Sequence, residues 1–193
     1  MGAHQHFSLA VAYIDTVEFF FQYLPTGARN KIDAVHGRSP WVTPCKDRFG
    51  NVVGYRIGLH QPKPAVLRIL AQFQQRHRGK LCRVDVAVDL TTHSKAWIVQ
   101  HCLLRWRRSG PMHDEENAVY WIEQHSRSRR STRDLILYAD RPSKITRRAC
   151  THLELRFFST PSVRNQGFER STDLIGINPR LLFQRHINSI LRH

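Results

Sequence analysis

The strongest constraint on the fold is a pair of stretches, Lys80–Leu90 and Ala149–Phe158, in which residue character alternates. In a strand, successive side chains point to opposite faces. Arg83, Asp85, Ala87 and Asp89 therefore share one face of the first strand, opposite Cys82, Val84, Val86, Val88 and Leu90. In the second, His152, Glu154 and Arg156 share a face, opposite Thr151, Leu153, Leu155 and Phe157. Side by side, two such strands form a sheet with a core on one side and acids, bases and an imidazole on the other.

Other elements follow from pattern and punctuation. Phe7–Ile14 and Thr16–Leu24 read as two apolar strands, Pro25–Pro44 as a loop, Lys46–Gly50 as a turn and Asn51–Leu59 as a strand. Pro62–Arg78 is the clearest helix: Val66, Leu67, Ile69, Leu70 and Phe73 recur at helical spacing, Pro64 suits a first turn and Gly79 supplies a stop. Ser94–Arg108 reads as a second helix with Ser94 as its N-cap. His113–Asn117 reads as a polar turn, Ala118–Gln124 and Asp134–Asp140 as strands, and His125–Arg133 as the connection between them. Ser159–Gly176 is polar, and Pro179–Leu191 is a terminal helix. The expected fold is α+β in one domain spanning residues 1–193: a mostly antiparallel or mixed sheet, helices packed on one face, the other open as the active or binding surface.

Charge narrows the function. Thirty Lys and Arg stand against 15 Asp and Glu, a formal net charge of +15 over 193 residues. Such an excess favours a polyanion, nucleic acid or an anionic membrane surface. No apolar run approaches the roughly 20 residues that a bilayer span needs, and Met1–His6 lacks the pattern of a secretory signal. Nucleic acid is the stronger partner, and the cytoplasm the expected location. Cys45, Cys82, Cys102 and Cys150 are scattered and form no Cys-x-x-Cys pair, so they are expected as reduced thiols.

Three groups of residues can carry chemistry. Asp85, Asp89 and Glu154 with His152 offer oxygen ligands and one imidazole, a donor set suited to Mg²⁺ or Mn²⁺. The competing reading is a set of surface ion pairs, Arg83 with Asp85 and Glu154 with Arg156. The second group is basic. Residues 125–148 hold Arg127, Arg129, Arg130, Arg133, Arg141, Lys144, Arg147 and Arg148, interleaved with Ser126, Ser128, Ser131 and Thr132. Arg and Ser/Thr are frequent contacts to phosphate oxygens. Tyr120, Trp121 and Tyr138 flank this segment, and a basic segment beside aromatics suits single-stranded nucleic acid. Third, Tyr120 or Tyr138 is a candidate nucleophile toward phosphorus, given a cation and arginines to stabilise the developing charge.

Taken in order, R-V-D-V-A-V-D at Arg83–Asp89, A-V-Y-W-I at Ala118–Ile122, S-R-S-R-R-S-T-R-D-L-I-L-Y-A-D at Ser126–Asp140 and H-L-E-L-R-F at His152–Phe157 resemble motifs of the replication initiation proteins of rolling-circle plasmids and filamentous phages. The resemblance covers about residues 80–160. It implies a nicking–closing enzyme in which a tyrosine attacks one DNA strand, stays on the 5′ phosphate and releases a priming 3′ hydroxyl, with a divalent metal assisting. By position it implies Tyr120 as nucleophile, Asp85, Asp89 and Glu154 at the acidic positions around Mg²⁺ or Mn²⁺, Arg127 as the arginine after the hairpin, and Tyr138 with Asp140 as the Tyr-Asp pair. The residues themselves add His152 to the metal set, Tyr138 as the alternative nucleophile, and Arg129, Arg130, Arg133, Lys144 and Arg156 with Arg127 on DNA. The resemblance further implies a single-stranded or hairpin origin, a homodimer and a helicase partner. The sequence departs from the family pattern at Ala118, Arg141 and His152, and at Gln124-His125-Ser126, where a Gly-Ser pair is usual. The alternative is a non-catalytic DNA- or RNA-binding protein on the same scaffold.

Overall fold

The computed structural model describes residues 11–91, 94–101, 103–104, 112–125 and 128–188. Its elements in chain order are β1 (Val11–Phe21), α1 (Ala28–His36), β2 (Trp41–Lys46), β3 (Val52–His60), α2 (Pro64–His77), β4 (Lys80–Leu90), α3 (Lys95–His101), β5 (Leu103–Leu104), β6 (Met112–Glu115), β7 (Ala118–His125), β8 (Ser128–Pro142), β9 (Ala149–Phe158), α4 (Thr160–Arg164), a 3₁₀ turn (Ser171–Leu174), α5 (Pro179–His186) and β10 (Ile187–Asn188). The main sheet has the order β2-β3-β1-β4-β9-β8-β7-β6, and β10 pairs with β5. The pairs β1–β3, β2–β3, β6–β7 and β7–β8 are antiparallel. The α+β class is as expected, and β4 and β9 occupy the two alternating stretches end to end.

The chain forms two compact units. The first comprises residues 14–85 and 157–177, and holds β2, β3, most of β1 and the start of β4. Register sets its core. Val17 faces Leu59 and Phe19 faces Ile57, and all four are buried with Phe21, Ile32, Val66, Leu70 and Leu81. α2 turns Val66, Leu67, Leu70 and Phe73 inward, as its spacing requires. Its stop differs from expectation: Arg78, not Gly79, takes the left-handed conformation (φ 51°). Gly79 serves close approach instead, because a Cβ there would collide with the buried ring of Phe21.

Pro25–Pro44 contains α1 and the start of β2 rather than a loop. α1 buries Ala28, Ile32 and His36, and Gly37 at φ 73° closes it with a bond from its N–H to the Asp33 carbonyl. Phe7–Ile14 and Thr16–Leu24 are not separate strands over the described residues: β1 runs unbroken from Val11 to Phe21, with Asp15 inside it.

The second unit comprises residues 1–13, 86–156 and 178–193. In it the end of β4 continues to β9, β8, β7 and β6. His113–Asn117 is strand β6 up to Glu115, with the turn confined to the last two residues. The Ser/Arg segment is not a loop throughout. β8 starts at Ser128, and its backbone pairs Ser131 with Gln124 and Ser128 with His125. The helix read over Ser94–Arg108 stops at His101 and gives way to β5, although the Ser94 Oγ does cap it by accepting the Trp97 N–H at 3.3 Å. The terminal helix likewise ends at His186 and passes into β10.

Candidate metal and phosphate centre

The second unit holds the charged face of β9. His152 and Glu154 lie two residues apart on it and are 5% and 4% exposed, and Asp89 on β4 is 0% exposed. Acids and an imidazole so covered by protein are not a solvated surface. The Asp89 Oδ1 accepts from His152 Nδ1 at 2.7 Å and from the Tyr13 hydroxyl at 3.4 Å. Its Oδ2 accepts from the Ser143 hydroxyl at 2.5 Å. Burial pushes the Asp89 carboxyl toward the neutral form, but the bonds from His152 and Ser143, the attraction to His152 and the Tyr13 bond outweigh it, and its pKa is lowered. Asp89 is therefore a carboxylate, and the shared proton sits on His152 Nδ1. That fixes the tautomer in which Nε2 offers a lone pair. His152 and Glu154 each present a ligand atom, the two within 4.8 Å of one another.

The tyrosines gather on the same face. Opposed residues of an antiparallel pair share a face. Ala118 opposes Tyr138 and Tyr120 opposes Ile136, so Tyr120 and Tyr138 are diagonal neighbours on one face of β7 and β8. The Tyr138 ring lies 5.9 Å from that of His152, which makes this the His152 face. The Tyr13 ring, on β1 beyond β4, lies 6.4 Å from that of His152. The two candidate nucleophiles differ in their partners. Tyr138 accepts a bond from Arg156 Nη2 at 3.0 Å, and the Arg141 guanidinium lies 4.3 Å over its ring. Burial raises the Tyr138 pKa, partly countered by Arg156. Among the described residues none hydrogen-bonds the Tyr120 hydroxyl, and Tyr120 is half-buried.

The remaining expected site residues are placed as follows. Asp85, 0% exposed, is gripped by Arg83 through Nε at 2.8 Å and Nη2 at 2.5 Å, and Arg83 Nη1 also bonds Glu18 at 2.9 Å. Arg156 Nη2 bonds Glu154 at 2.7 Å besides Tyr138. Both ion pairs read from the sequence are present, but their acids are buried rather than surface groups. Lys144, Arg147 and Arg148 are exposed on the turn between β8 and β9, with Arg141 at its start. Ser143 ties that turn to Asp89 while its Oγ accepts the N–H groups of Ile145 at 3.2 Å and Thr146 at 2.9 Å. Arg133 is half-buried on β8. Arg129 and Arg130 lie on the β8 backbone, with their side chains not described, and Arg127 lies outside the described residues.

Sequence reasoning missed Tyr13 and Ser143 as partners of Asp89, and Asp15 as a buried acid of the first unit. Asp15 is 2% exposed and follows Tyr13 by two positions on β1, hence on the same strand face. Its signal was present: one unbroken strand over residues 11–21 places an acid in mid-strand, where acids are depleted. Two of the thiols, Cys82 and Cys150, are held protonated. Burial pushes Cys82 up to about 12 and Cys150 up to about 11, and their Sγ atoms donate to the Glu18 and Arg141 carbonyls, each at 3.3 Å.

No family model matches the sequence, and no curated protein matches it. The fold is similar to a solved structure, a rolling circle replication initiator protein from Geobacillus stearothermophilus, with a TM-score of 0.50 and 11% identity over 92% of this chain and 86% of that one. At that identity the likeness is one of fold alone. Among the described residues no helix is long and apolar enough to cross a membrane.

Proposed function

We propose that the chain is a replication initiator that nicks and rejoins one DNA strand through a phosphotyrosine. The observation that carries this reading is the Asp89–His152 bond. A carboxylate on Nδ1 is the usual outer partner of a metal-ligating histidine. It leaves Nε2 of His152 and a Glu154 oxygen as donors. One nitrogen and carboxylate oxygens fit Mn²⁺ or Mg²⁺. When bound, such a cation polarises the scissile phosphate and neutralises charge developing on it.

The chain's own residues do the rest. The Tyr120 oxygen attacks phosphorus and gives up its proton to solvent. The P–O3′ bond breaks, and the departing 3′ oxygen takes a proton. The DNA is left with a free 3′ hydroxyl and a 5′ phosphotyrosine, and reversal of the same steps rejoins it. Arg141, over the Tyr138 ring, and Lys144, Arg147 and Arg148, exposed on the turn that Ser143 ties to Asp89, hold flanking phosphates. Tyr138, bonded to Arg156, keeps that guanidinium beside Glu154. Asp85 with Arg83 braces β4.

The test is a nicking assay on supercoiled DNA with Mn²⁺, followed by detection of protein on the 5′ end. Wild type should give the covalent product and Tyr120→Phe should not, while both bind DNA. Salt-sensitive binding with no cleavage by wild type would instead establish the non-catalytic alternative.

A further inference from the structure

In the first unit a cavity of about 450 Å³ opens between α2 and the segment that runs from the end of α4 through the 3₁₀ turn. Arg68, Gln72 and Gln75 line it from one helical face of α2, being spaced i, i+4 and i+7. Arg164 and Arg170 line it from the opposite wall. Gln74 fixes that wall to the helix: its Oε1 accepts the Ser171 N–H at 2.8 Å and its Nε2 donates to the Glu169 carbonyl at 3.3 Å. The Ser171 hydroxyl adds a bond to the Leu67 carbonyl at 2.7 Å. The cavity is therefore held in shape without a ligand.

Its lining is charged in one direction. Three arginines face it against a single acid, Glu169, and among the described residues none of the three forms an ion pair. Guanidinium groups bind phosphate through paired N–H donors. The Gln72 and Gln75 carboxamides each offer donors and an acceptor, the complement of a nucleobase edge. The volume falls in the range of small-molecule sites.

We propose that this cavity binds a nucleoside phosphate, with the phosphate on Arg164 and Arg170 and the base edge toward Gln72 and Gln75. The ligand is either a free nucleotide or one nucleotide of a single strand; the chemistry of recognition is the same.

The purified full chain is titrated by calorimetry with dAMP, and separately with a short single-stranded oligonucleotide, in moderate salt. At least one ligand should bind, and Arg164→Ala/Arg170→Ala should weaken it by about tenfold or more, since each arginine supplies charge-assisted bonds. Arg164→Lys/Arg170→Lys should keep part of the affinity, and Arg29→Ala/Arg38→Ala, which removes equal charge from exposed sites elsewhere, should leave it unchanged. Arginine-dependent binding of dAMP identifies the free nucleotide; arginine-dependent binding of the oligonucleotide alone identifies the strand. Absence of binding by either at millimolar concentration overturns the proposal. So does binding that is indifferent to Arg164→Ala/Arg170→Ala in a variant that melts like wild type. The readout is binding and not cleavage, so its failure leaves the nicking reading untouched.

Discussion

Asp89→Asn removes one charge and leaves the side-chain shape intact, yet the surrounding bonds forbid it a comfortable orientation. With its oxygen toward His152 Nδ1, the Asn amide N–H₂ faces the Ser143 Oγ. That oxygen already accepts from the Ile145 and Thr146 N–H groups, so it has no lone pair left to receive another donor. With the amide reversed, N–H₂ meets His152 Nδ1, and the ring must move its proton to Nε2, which abolishes the lone pair that a cation needs. Either way a charged hydrogen bond is lost and a buried donor is stranded, a cost of about 2–4 kcal/mol. In a chain of this length that lowers Tm by roughly 4–15 °C. A urea or thermal unfolding cycle with Ser143→Ala measures the coupling directly. Removing the hydroxyl removes the donor conflict, so Asp89→Asn should cost about 1 kcal/mol less in the Ser143→Ala background. Mn²⁺ affinity should fall about 10–100-fold with Asp89→Asn, the usual effect of losing an outer partner of a ligating histidine. A variant within about 0.5 kcal/mol of wild type, or strict additivity with Ser143→Ala, would refute the hydrogen-bond assignment.

Three further outcomes are expected. Gly79→Ala drives a methyl into the buried Phe21 ring and should cost about 1–3 kcal/mol in urea unfolding; a neutral result would mean that the ring can move aside. His36 should make stability fall on acidification. Its Nε2 donates to the His60 carbonyl at 3.0 Å while Nδ1 is buried without a partner. Burial lowers its pKa below 6.5, the His60 carbonyl opposes this, Lys63 and Arg38 reinforce it, and Asp33 opposes it more weakly. The unfolded chain then binds the proton more readily, so this contribution is present above pH 6.5 and is lost as pH falls through the folded pKa, at no more than about 1.4 kcal/mol per pH unit. His36→Gln should flatten that slope in Tm measured against pH. Finally, Tyr138→Phe should retain nicking and cost about 0.5–1.5 kcal/mol through the lost Arg156 bond; loss of the covalent product in Tyr138→Phe but not in Tyr120→Phe would move the nucleophile to Tyr138.

Elements were legible where one physical rule acted along the whole segment. β4, β9 and α2 each combine a long period with clear ends, and sequence and structure agree to within two residues. α1 was not legible because only Ala28, Ile32, Ala34 and Val35 are apolar among its nine residues, and its flanking glycines read as loop punctuation until their left-handed angles are known. β8 was read short because Ser128–Arg133 has no apolar alternation at all. Pairing to β7, which no local pattern records, extends it. β1 was split at Asp15 because a carboxylate inside an aromatic run resembles a break.

The two readings of the charged face, ion pairs or a metal site, are not alternatives once the distances are compared. Arg83 with Asp85 and Arg156 with Glu154 are ion pairs between residues two apart on one strand, and alternation alone puts such pairs together. Asp89 with His152 is different. It joins residues 63 apart in sequence across neighbouring strands, buries both and commits only one ring nitrogen. An ion pair serving stability alone gains little from burial, because desolvation offsets most of the attraction. Ser143 and Tyr13 add further bonds to the same carboxylate, which raises the cost of disturbing its geometry. Those bonds commit only Nδ1 of a ring that has a ligand nitrogen within 4.8 Å of a Glu154 oxygen, so the cluster orients an imidazole rather than merely balancing its charge.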